Sequence, residues 1–396
     1  MSVTSLSAYS QYFKKPAFTV HIPPTLYVAG SSVTGELELD ANLLREDDIE
    51  RIYVELQGTL LTKNRIAADS REFKIVENEF LRRSATLWVR DGSVPLALGE
   101  AMSIPFELQL PTDAPPSFGF ETFMNNAHIR YAVEVTGVRT ATFAVNRTVK
   151  FPIVVLSNDP IGSGTRAELK LGWPSEWGRL KVESGIRRYP WGDYSHAKME
   201  LIVPHMDTFP LFTDIPYSII ITTLSAPVKR KGNEGPDRNL YPPIPRSASE
   251  LDFEMRRFVD METPYKPSNP EEHVVDIISK AHTPIPPVEV EIGDYLWIPE
   301  QDRQDRGRWQ RGVTFHSHMN LRYTPTFLTE ELKIKYTLLL RVEFPGSGNA
   351  LRIVMPITIG SGVETSIPLD PASPKTIDLP SSYWNPATWT EQVTAR

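Results

Sequence analysis

Two adjacent lysines, Lys14 and Lys15, follow Phe13 near the start of the chain. Neighbouring ammonium groups attract a dianionic phosphate through charge-assisted hydrogen bonds, most strongly where water is partly excluded. An ordinary solvated pair near a chain end is the alternative. We take Lys14 and Lys15 as a candidate contact for phosphate on a partner, or for the partner itself.

Four arginines, Arg303, Arg306, Arg308 and Arg311, surround Trp309 in a stretch that the sequence predicts to be a loop. Guanidinium groups beside an indole can bind lipid phosphates or an acidic peptide, which makes this stretch a candidate patch for lipid or an acidic partner. Two aspartates stand between the arginines, however, and favour a self-neutralising surface loop whose ion pairs contribute little.

His316 and His318 lie two residues apart on a predicted strand, so both side chains point to one face of it. A zinc site is geometrically conceivable there, but a metal ion needs more ligands than two. The pattern favours histidines with a structural role, and we predict neither a metal nor another cofactor.

Ser247 and Ser249 stand beside Arg246 in a long polar stretch. Exposure and the neighbouring positive charge make them candidate phosphorylation sites.

Composition excludes several classes of protein. The chain has 396 residues and no cysteine, which rules out disulfides, thiol catalysis and cysteine-bound zinc. It contains no G-x-S-x-G, phosphate-binding G-x-x-x-x-G-K or H-E-x-x-H motif, and we predict that it is not an enzyme. A net charge of −7 argues against nucleic-acid binding. We find no secretory signal and no apolar run of about 20 residues, so a cytoplasmic protein is expected.

The stretch 103–139 indicates the fold class. Phe106, Leu108 and Leu110 alternate with polar residues, a proline-rich turn follows, and the same period of two returns from Ile129 to Val135. This period, with turn residues between the runs, is typical of antiparallel strands in a half-buried sheet. The 35 prolines suit a protein with many connections between strands. We therefore predict an all-β protein.

The order of strand-like segments predicts two β-sandwich domains and a polar insertion in the second. A short helix is also expected over Glu272–Ala281. The predicted boundaries are an N-terminal arm at 1–17, a first sandwich at 18–157, a hinge at 158–165, a second sandwich at 166–360 with a mobile insertion at 229–249, and a flexible tail at 361–396.

Two segments of the first half resemble the N-terminal domain of the arrestin family. One is 27–39, which follows the family pattern Y-x-P-G-x-x-V-x-G except that Ala29 replaces proline, and the other is 106–135, with F-x-L-x-L-P and I-R-Y-x-V-x-V. The order of segments from Val313 to Ile359 resembles the end of an arrestin C-terminal domain, although the insertion after Lys229 changes the usual spacing. The resemblance implies two tandem immunoglobulin-like, arrestin-type β-sandwiches joined by a short hinge.

The resemblance also implies a function. It implies a non-catalytic cytosolic adaptor that binds cytoplasmic segments of membrane proteins and directs their trafficking, endocytosis or ubiquitin-dependent turnover, with recruitment to the plasma membrane or endosomes and peripheral membrane contact. In receptor-binding arrestins a similar Phe-Lys-Lys senses receptor phosphate, which would give Lys14 and Lys15 that role. The P-P-x-Y motif that recruits ubiquitin ligases is absent, so contact with a ligase would be indirect. The alternatives are a retromer-like, arrestin-fold subunit of a sorting complex, or a β-sandwich enzyme that binds a small ligand or a metal.

Overall fold

A computed structural model describes residues 16–65, 73–90, 101–122, 125–140, 145–230, 235–237, 240–261, 271–276, 287–301, 303–369, 376–387 and 389. Nearly all of its regular structure is β-strand. The chain divides into two compact units, the first made of 1–158 with 364–396 and the second of 159–363.

The first unit is a β-sandwich with one three-stranded and one seven-stranded sheet. The small sheet has the order β1-β3-β6, and the large one has the order β24-β2-β9-β8-β4-β5 with β7 also paired to β8. Alternating apolar side chains fill the space between them, and Leu37, Ile52 and Val133 have no exposed surface. The bounds are β1 Phe18–His21, β2 Thr25–Val28, β3 Ser32–Asp40, α1 Ala41–Glu46, β4 Ile49–Arg65, β5 Phe73–Val89, β6 Ala101–Gln109, β7 Phe118–Glu121, β8 Asn125–Arg139, β9 Arg147–Leu156 and β24 Ile367–Pro368.

The second unit has a seven-stranded and a five-stranded sheet. The larger has the order β10-β11-β13-β19-β14 with β17 and β18 also on β19, and the smaller has β16-β15-β21-β20 with β22 on β21. Strands β12 and β23 form a separate parallel pair. The bounds are α2 Pro160–Lys170, β10 Trp177–Ile186, β11 Ser195–Pro204, β12 Phe209–Pro210, β13 Asp214–Leu224, β14 Val228–Lys229, β15 Leu251–Met261, β16 Glu271–Asp276, β17 Glu289–Ile292, β18 Leu296–Glu300, β19 Arg303–Asn320, β20 Phe327–Leu328, β21 Leu332–Glu343, β22 Ala350–Ile357 and β23 Ile359–Gly360.

Helix α2 occupies most of the stretch that the sequence predicts to be a hinge. The Asp159 carboxylate caps its first turn by accepting a hydrogen bond of 2.9 Å from the Gly162 amide, and Pro160 stands at the first helical position. The glycines and proline that suggested a linker are therefore used to begin a helix.

The helix predicted over Glu272–Ala281 is wrong for its first residues, because 271–276 form strand β16. This strand pairs with β15 from Glu254 to Val259. Pairing with β15 supplies the backbone hydrogen bonds that a short isolated helix would have had to make alone, and the β-branched Val274 and Val275 favour an extended chain.

The described residues of the predicted mobile insertion pack against the second unit. Val228–Lys229 form a strand, Ile244 is 6% exposed, and the Tyr241 hydroxyl donates a 2.9 Å hydrogen bond to the Pro345 carbonyl. The stretch 240–250 is thus anchored by the burial of apolar side chains, although its composition is mostly polar.

The predicted flexible tail needs a similar correction. Within it, Ile367–Pro368 pair with β2, and Ile377 and Tyr383 are 3% and 0% exposed. The described residues from 364 onward therefore belong to the first unit, and Ile377 and Tyr383 lie in its core.

Candidate functional site

Strand β1 lies at the edge of the small sheet of the first unit. It pairs with β3, from Phe18 opposite Leu39 to His21 opposite Glu36, and no other strand of the described residues pairs with it. An edge strand of this kind presents backbone N–H and C=O groups to an extended partner. Lys14 and Lys15, which precede β1 in the sequence, lie outside the described residues.

A cleft of about 840 Å³ opens beside the end of β1, between the small sheet and β9. Its lining includes the apolar residues Val20, Ile22, Phe106 and Phe151. The Phe106 ring packs so closely on β3 that a Cβ atom at Gly35 would lie 2.4 Å from it, so glycine is required there. The cleft can accept an apolar side chain from a segment that lies along β1.

A buried polar cluster lies on strand β8 of the same unit. Arg130 is 3% exposed, and among the described residues its Nε and Nη2 have no hydrogen-bond partner, nor does either ring nitrogen of His128. Burial, with the Glu121 carboxylate acting against it, lowers the pKa of Arg130 to about 10. Burial and the Arg130 charge lower the pKa of His128 to about 3, although His128 Nε2 lies 3.3 Å from Glu121. A neutral imidazole therefore lies beside a guanidinium with unused donors.

Tyr383, from the C-terminal segment, fills the place where β8 changes partner from β7 to β9. Its hydroxyl donates to the Ile153 carbonyl at 2.6 Å, lies 2.8 Å from the Ser117 hydroxyl and accepts from the Tyr131 amide. The Ser117 hydroxyl in turn accepts from the Val155 amide at 2.9 Å. Burial raises the pKa of Tyr383 to about 12, so the side chain is neutral.

Trp389 covers the polar cluster from the same segment. The Arg130 guanidinium lies 5.1 Å from the centre of its ring and the Lys150 ammonium 5.3 Å, both within cation–π range. Pro380 packs against Gly119, where any Cβ atom would lie 2.3 Å from the proline ring. The C-terminal segment therefore shields Arg130 from water.

The stretch containing Arg303, Arg306, Arg308 and Arg311 forms part of strand β19, which corrects the expectation of a loop. Pairing with β13, β14 and β18 holds this stretch extended. The side chain of Arg303 lies outside the described residues.

Two of these arginines make contacts within the second unit. Arg308 Nη1 donates to the Tyr194 and Ser225 carbonyls at 3.2 and 3.0 Å. Arg306 lies 3.5 Å from the Glu300 carboxylate.

Arg311 lies against a cluster of aromatic rings formed by Tyr295, Trp297 and Trp309. It donates to the Gly293 carbonyl at 3.0 Å and lies 4.4 Å from the centre of the Tyr295 ring. Arg230 lies 5.1 Å from the centre of the Trp309 ring. The guanidiniums of Arg306, Arg308 and Arg311 thus all make contacts within the second unit, and a role in binding lipid or an acidic partner stays a prediction.

His316 and His318 share one face of β19, as their spacing indicates. His316 Nδ1 lies 2.8 Å from the Ser218 hydroxyl. Among the described residues, no group of three or more metal-binding side chains surrounds them.

Ser247 and Ser249 lie next to each other at a short 3-10 helix, Ala248–Glu250. Their hydroxyl oxygens are 2.8 Å apart, and the Glu250 carboxylate accepts from the Arg246 amide at 2.8 Å. Ser249 is exposed and Ser247 half-buried, which leaves phosphorylation of either as a prediction.

Sequence reasoning missed Arg130, His128 and Tyr383. The first two occupy alternate positions of β8 that a period of two assigns to solvent, so no local signal shows that they are buried. For Tyr383 the sequence did offer a signal, because Trp384 and Trp389 follow it in the predicted tail. Clustered aromatic side chains usually bury their surface, which indicates a packed segment.

The first sandwich matches a known family. Residues 17–158 match the family model described as arrestin (or S-antigen), N-terminal domain. No curated protein matches the chain. Among the described residues, no helix is long and apolar enough to cross a membrane. The match covers strands β1 to β9, and we conclude that residues 17–158 of this chain are an arrestin N-terminal domain.

Proposed function

We propose that this protein is a non-catalytic cytosolic adaptor that binds cytoplasmic segments of membrane proteins and directs their trafficking, endocytosis or ubiquitin-dependent turnover. The observation that carries the proposal is the apolar cleft beside the edge strand β1 within the arrestin N-terminal domain. An extended peptide segment can pair with β1 and place an apolar side chain in the cleft.

Phosphate on the cargo supplies a second contact in this proposal. Lys14 and Lys15 stand four and three residues before Phe18 in the sequence, so they precede the edge strand closely. Two lysines contribute charge-assisted hydrogen bonds to a phosphate, and the cleft contributes apolar burial. Cargo recognition would then require both a phosphorylated residue and an apolar one.

The test is affinity purification of the full chain from mildly solubilised cells that express it, with quantitative mass spectrometry. We expect integral membrane proteins to be enriched, and both Lys14→Ala/Lys15→Ala and Ile22→Glu to reduce that enrichment about tenfold. Val354→Glu is the matched control for a new carboxylate, because Val354 is an exposed apolar residue of the second unit (49% exposed).

Three outcomes would contradict the proposal. Stoichiometric recovery of constant soluble partners would favour a structural subunit of a sorting complex. Stoichiometric metal in the purified protein would favour a metal-binding protein, with His316 and His318 as the first candidates for ligands. If Val354→Glu reduced the enrichment of membrane proteins as much as Ile22→Glu does, the cleft would not be the contact.

A further inference from the structure

Strand β17 forms an outer edge of the large sheet in the second unit. Phe315 of β19 pairs with Ile219 of β13 on one side and with Val290 of β17 on the other. β17 therefore lies on the side of β19 away from β13. No strand in the described part of the chain pairs with the far edge of β17.

The backbone groups that face outward from β17 follow from one hydrogen bond. The Gly293 amide donates to the carbonyl of Gly312, directly opposite, at 2.9 Å. In an antiparallel pair, hydrogen-bonded and non-hydrogen-bonded residues alternate, so Glu291 faces the β19 ladder, as Gly293 does. Val290 and Ile292 consequently direct their N–H and C=O groups away from the sheet.

The apolar side chains of β17 continue the buried apolar face of the sheet onto its exposed edge. Val290 and Ile292 are 37% and 42% exposed, and they stand opposite Phe315 and Val313, which are 0% and 1% exposed. On this face of the sheet, the side chains of β19 are thus buried, whereas those of the outermost strand β17 are partly exposed to solvent. A further strand beside β17 would remove this apolar surface from water.

Carboxylates define the charge of the edge. Glu289 and Glu291 point to the opposite face from Val290 and Ile292, and Asp294 follows at the turn. All three are exposed, and no lysine or arginine of the described residues forms an ion pair with them. The nearby Arg311 is directed onto the Tyr295 ring and the Gly293 carbonyl.

The aromatic layer next to β17 holds the edge in place. The Tyr295 ring meets Trp309 edge-on at 6.3 Å, and Trp297 lies 5.0 Å from Trp309. Trp309 itself is 8% exposed, so its neighbours are anchored to a buried ring. The edge is therefore preorganised, which lowers the entropy lost when a partner strand binds.

We propose that β17 binds an extended segment of another protein in which apolar residues alternate with lysine or arginine. The segment adds a strand at Val290 and Ile292, its apolar side chains cover theirs, and its cations lie beside Glu289 and Glu291. A second copy of this chain fits less well. Antiparallel self-pairing of Glu289–Ile292 brings the carboxylates of the two copies onto adjacent strands, where like charges repel.

The test uses the full chain and a labelled peptide of alternating valine and lysine, with binding followed by fluorescence anisotropy at low ionic strength. We expect an alternating valine–glutamate peptide to bind about tenfold more weakly than the valine–lysine peptide. We expect the same reduction for a peptide in which the valines and the lysines stand in separate blocks. The blocked peptide is the control for simple attraction to a chain of net charge −7.

Variants separate the backbone contribution from the charge. Glu289→Lys/Glu291→Lys is expected to reverse the preference to the valine–glutamate peptide, whereas the control Asp193→Lys/Glu330→Lys, at two exposed carboxylates of the same unit, leaves it unchanged. Ile292→Pro removes an outward N–H and keeps the ladder to β19, so binding should fall about tenfold.

Hydrogen exchange of the wild-type chain tests the contact without a substitution. Saturating valine–lysine peptide should slow exchange at the Val290 and Ile292 amides. Unchanged exchange there, or equal binding of the blocked peptide, overturns the proposal. Self-association of the chain that Ile292→Pro abolishes would identify a second copy as the occupant and overturn the choice of a basic partner.

Discussion

The hydroxyl of Tyr383 satisfies backbone groups that the sheet of the first unit leaves open. Where β8 changes partner from β7 to β9, the Tyr131 amide and the Ile153 carbonyl both meet this hydroxyl. A buried donor or acceptor that loses its partner costs about 1–3 kcal/mol, because it has given up its hydrogen bond to water. One oxygen atom thus connects the C-terminal segment to the centre of the sandwich.

Tyr383→Phe is therefore expected to lower the free energy of unfolding of the first unit by about 1–3 kcal/mol, since the ring remains and only the hydrogen bonds are lost. Native-state hydrogen exchange at the Tyr131 amide measures this locally. Tyr189→Phe, at a tyrosine that is 57% exposed, is the control and should change nothing. A Tyr131 amide that exchanges at the wild-type rate in Tyr383→Phe would contradict the network.

His128 makes the stability of the first unit depend on pH. Its pKa is about 3 in the folded chain against an ordinary value of 6.5, because burial and Arg130 disfavour the charged form. Between these values the unfolded chain binds a proton that the folded chain does not. The stabilisation is therefore complete above the ordinary pKa and is lost as the pH falls toward about 3.

From about pH 7 to about pH 5, the proton on His128 should lower the free energy of unfolding by about 2 kcal/mol. Urea denaturation at several pH values measures the slope. His128→Gln should flatten it. Identical slopes for His128→Gln and the wild type would show that His128 does not carry this dependence.

At the scale of elements, the period of two predicted strands well where one face is buried. Phe106 and Leu108 lie on β6, and the run from Ile129 to Val135 lies on β8. The proline-rich stretch after β6 gave a turn, because proline has no N–H to donate to a ladder.

Elements that depend on distant partners could not be predicted in the same way. The stretch Arg303–Arg311 is polar enough to suggest a loop, yet β13, β14 and β18 hold it as a strand. Residues 271–276 became β16 through pairing with β15, against a local pattern that allowed a helix. In both cases long-range pairing overrode local composition, as is general for β-structure.

At the scale of the whole molecule, the first unit is built from two separate stretches of chain. Residues 364–396 belong with 1–158, and the second unit lies between them in sequence. Local patterns assigned the last stretch to a tail because its few apolar residues are scattered. The buried positions of Ile377 and Tyr383 depend on a surface formed by strands more than two hundred positions earlier.

The last prediction follows from this construction. A chain that ends after residue 369 keeps β24 but loses Ile377, Tyr383 and Trp389, and with them both apolar burial and the hydrogen bonds to Ser117 and Ile153. Burial of one large side chain contributes about 1.5–3 kcal/mol and the unpaired groups add a similar cost, so the first unit should lose at least about 3 kcal/mol. A chain that ends after residue 389 retains these contacts and is the control.

Hydrogen exchange should rise at β8 and β9 in the shorter chain and stay unchanged in β13 and β21 of the second unit. Equal exchange in both truncated chains would mean that the C-terminal segment rests on the first sandwich without stabilising it. Arg130 and His128 would then owe their burial to the sheet alone.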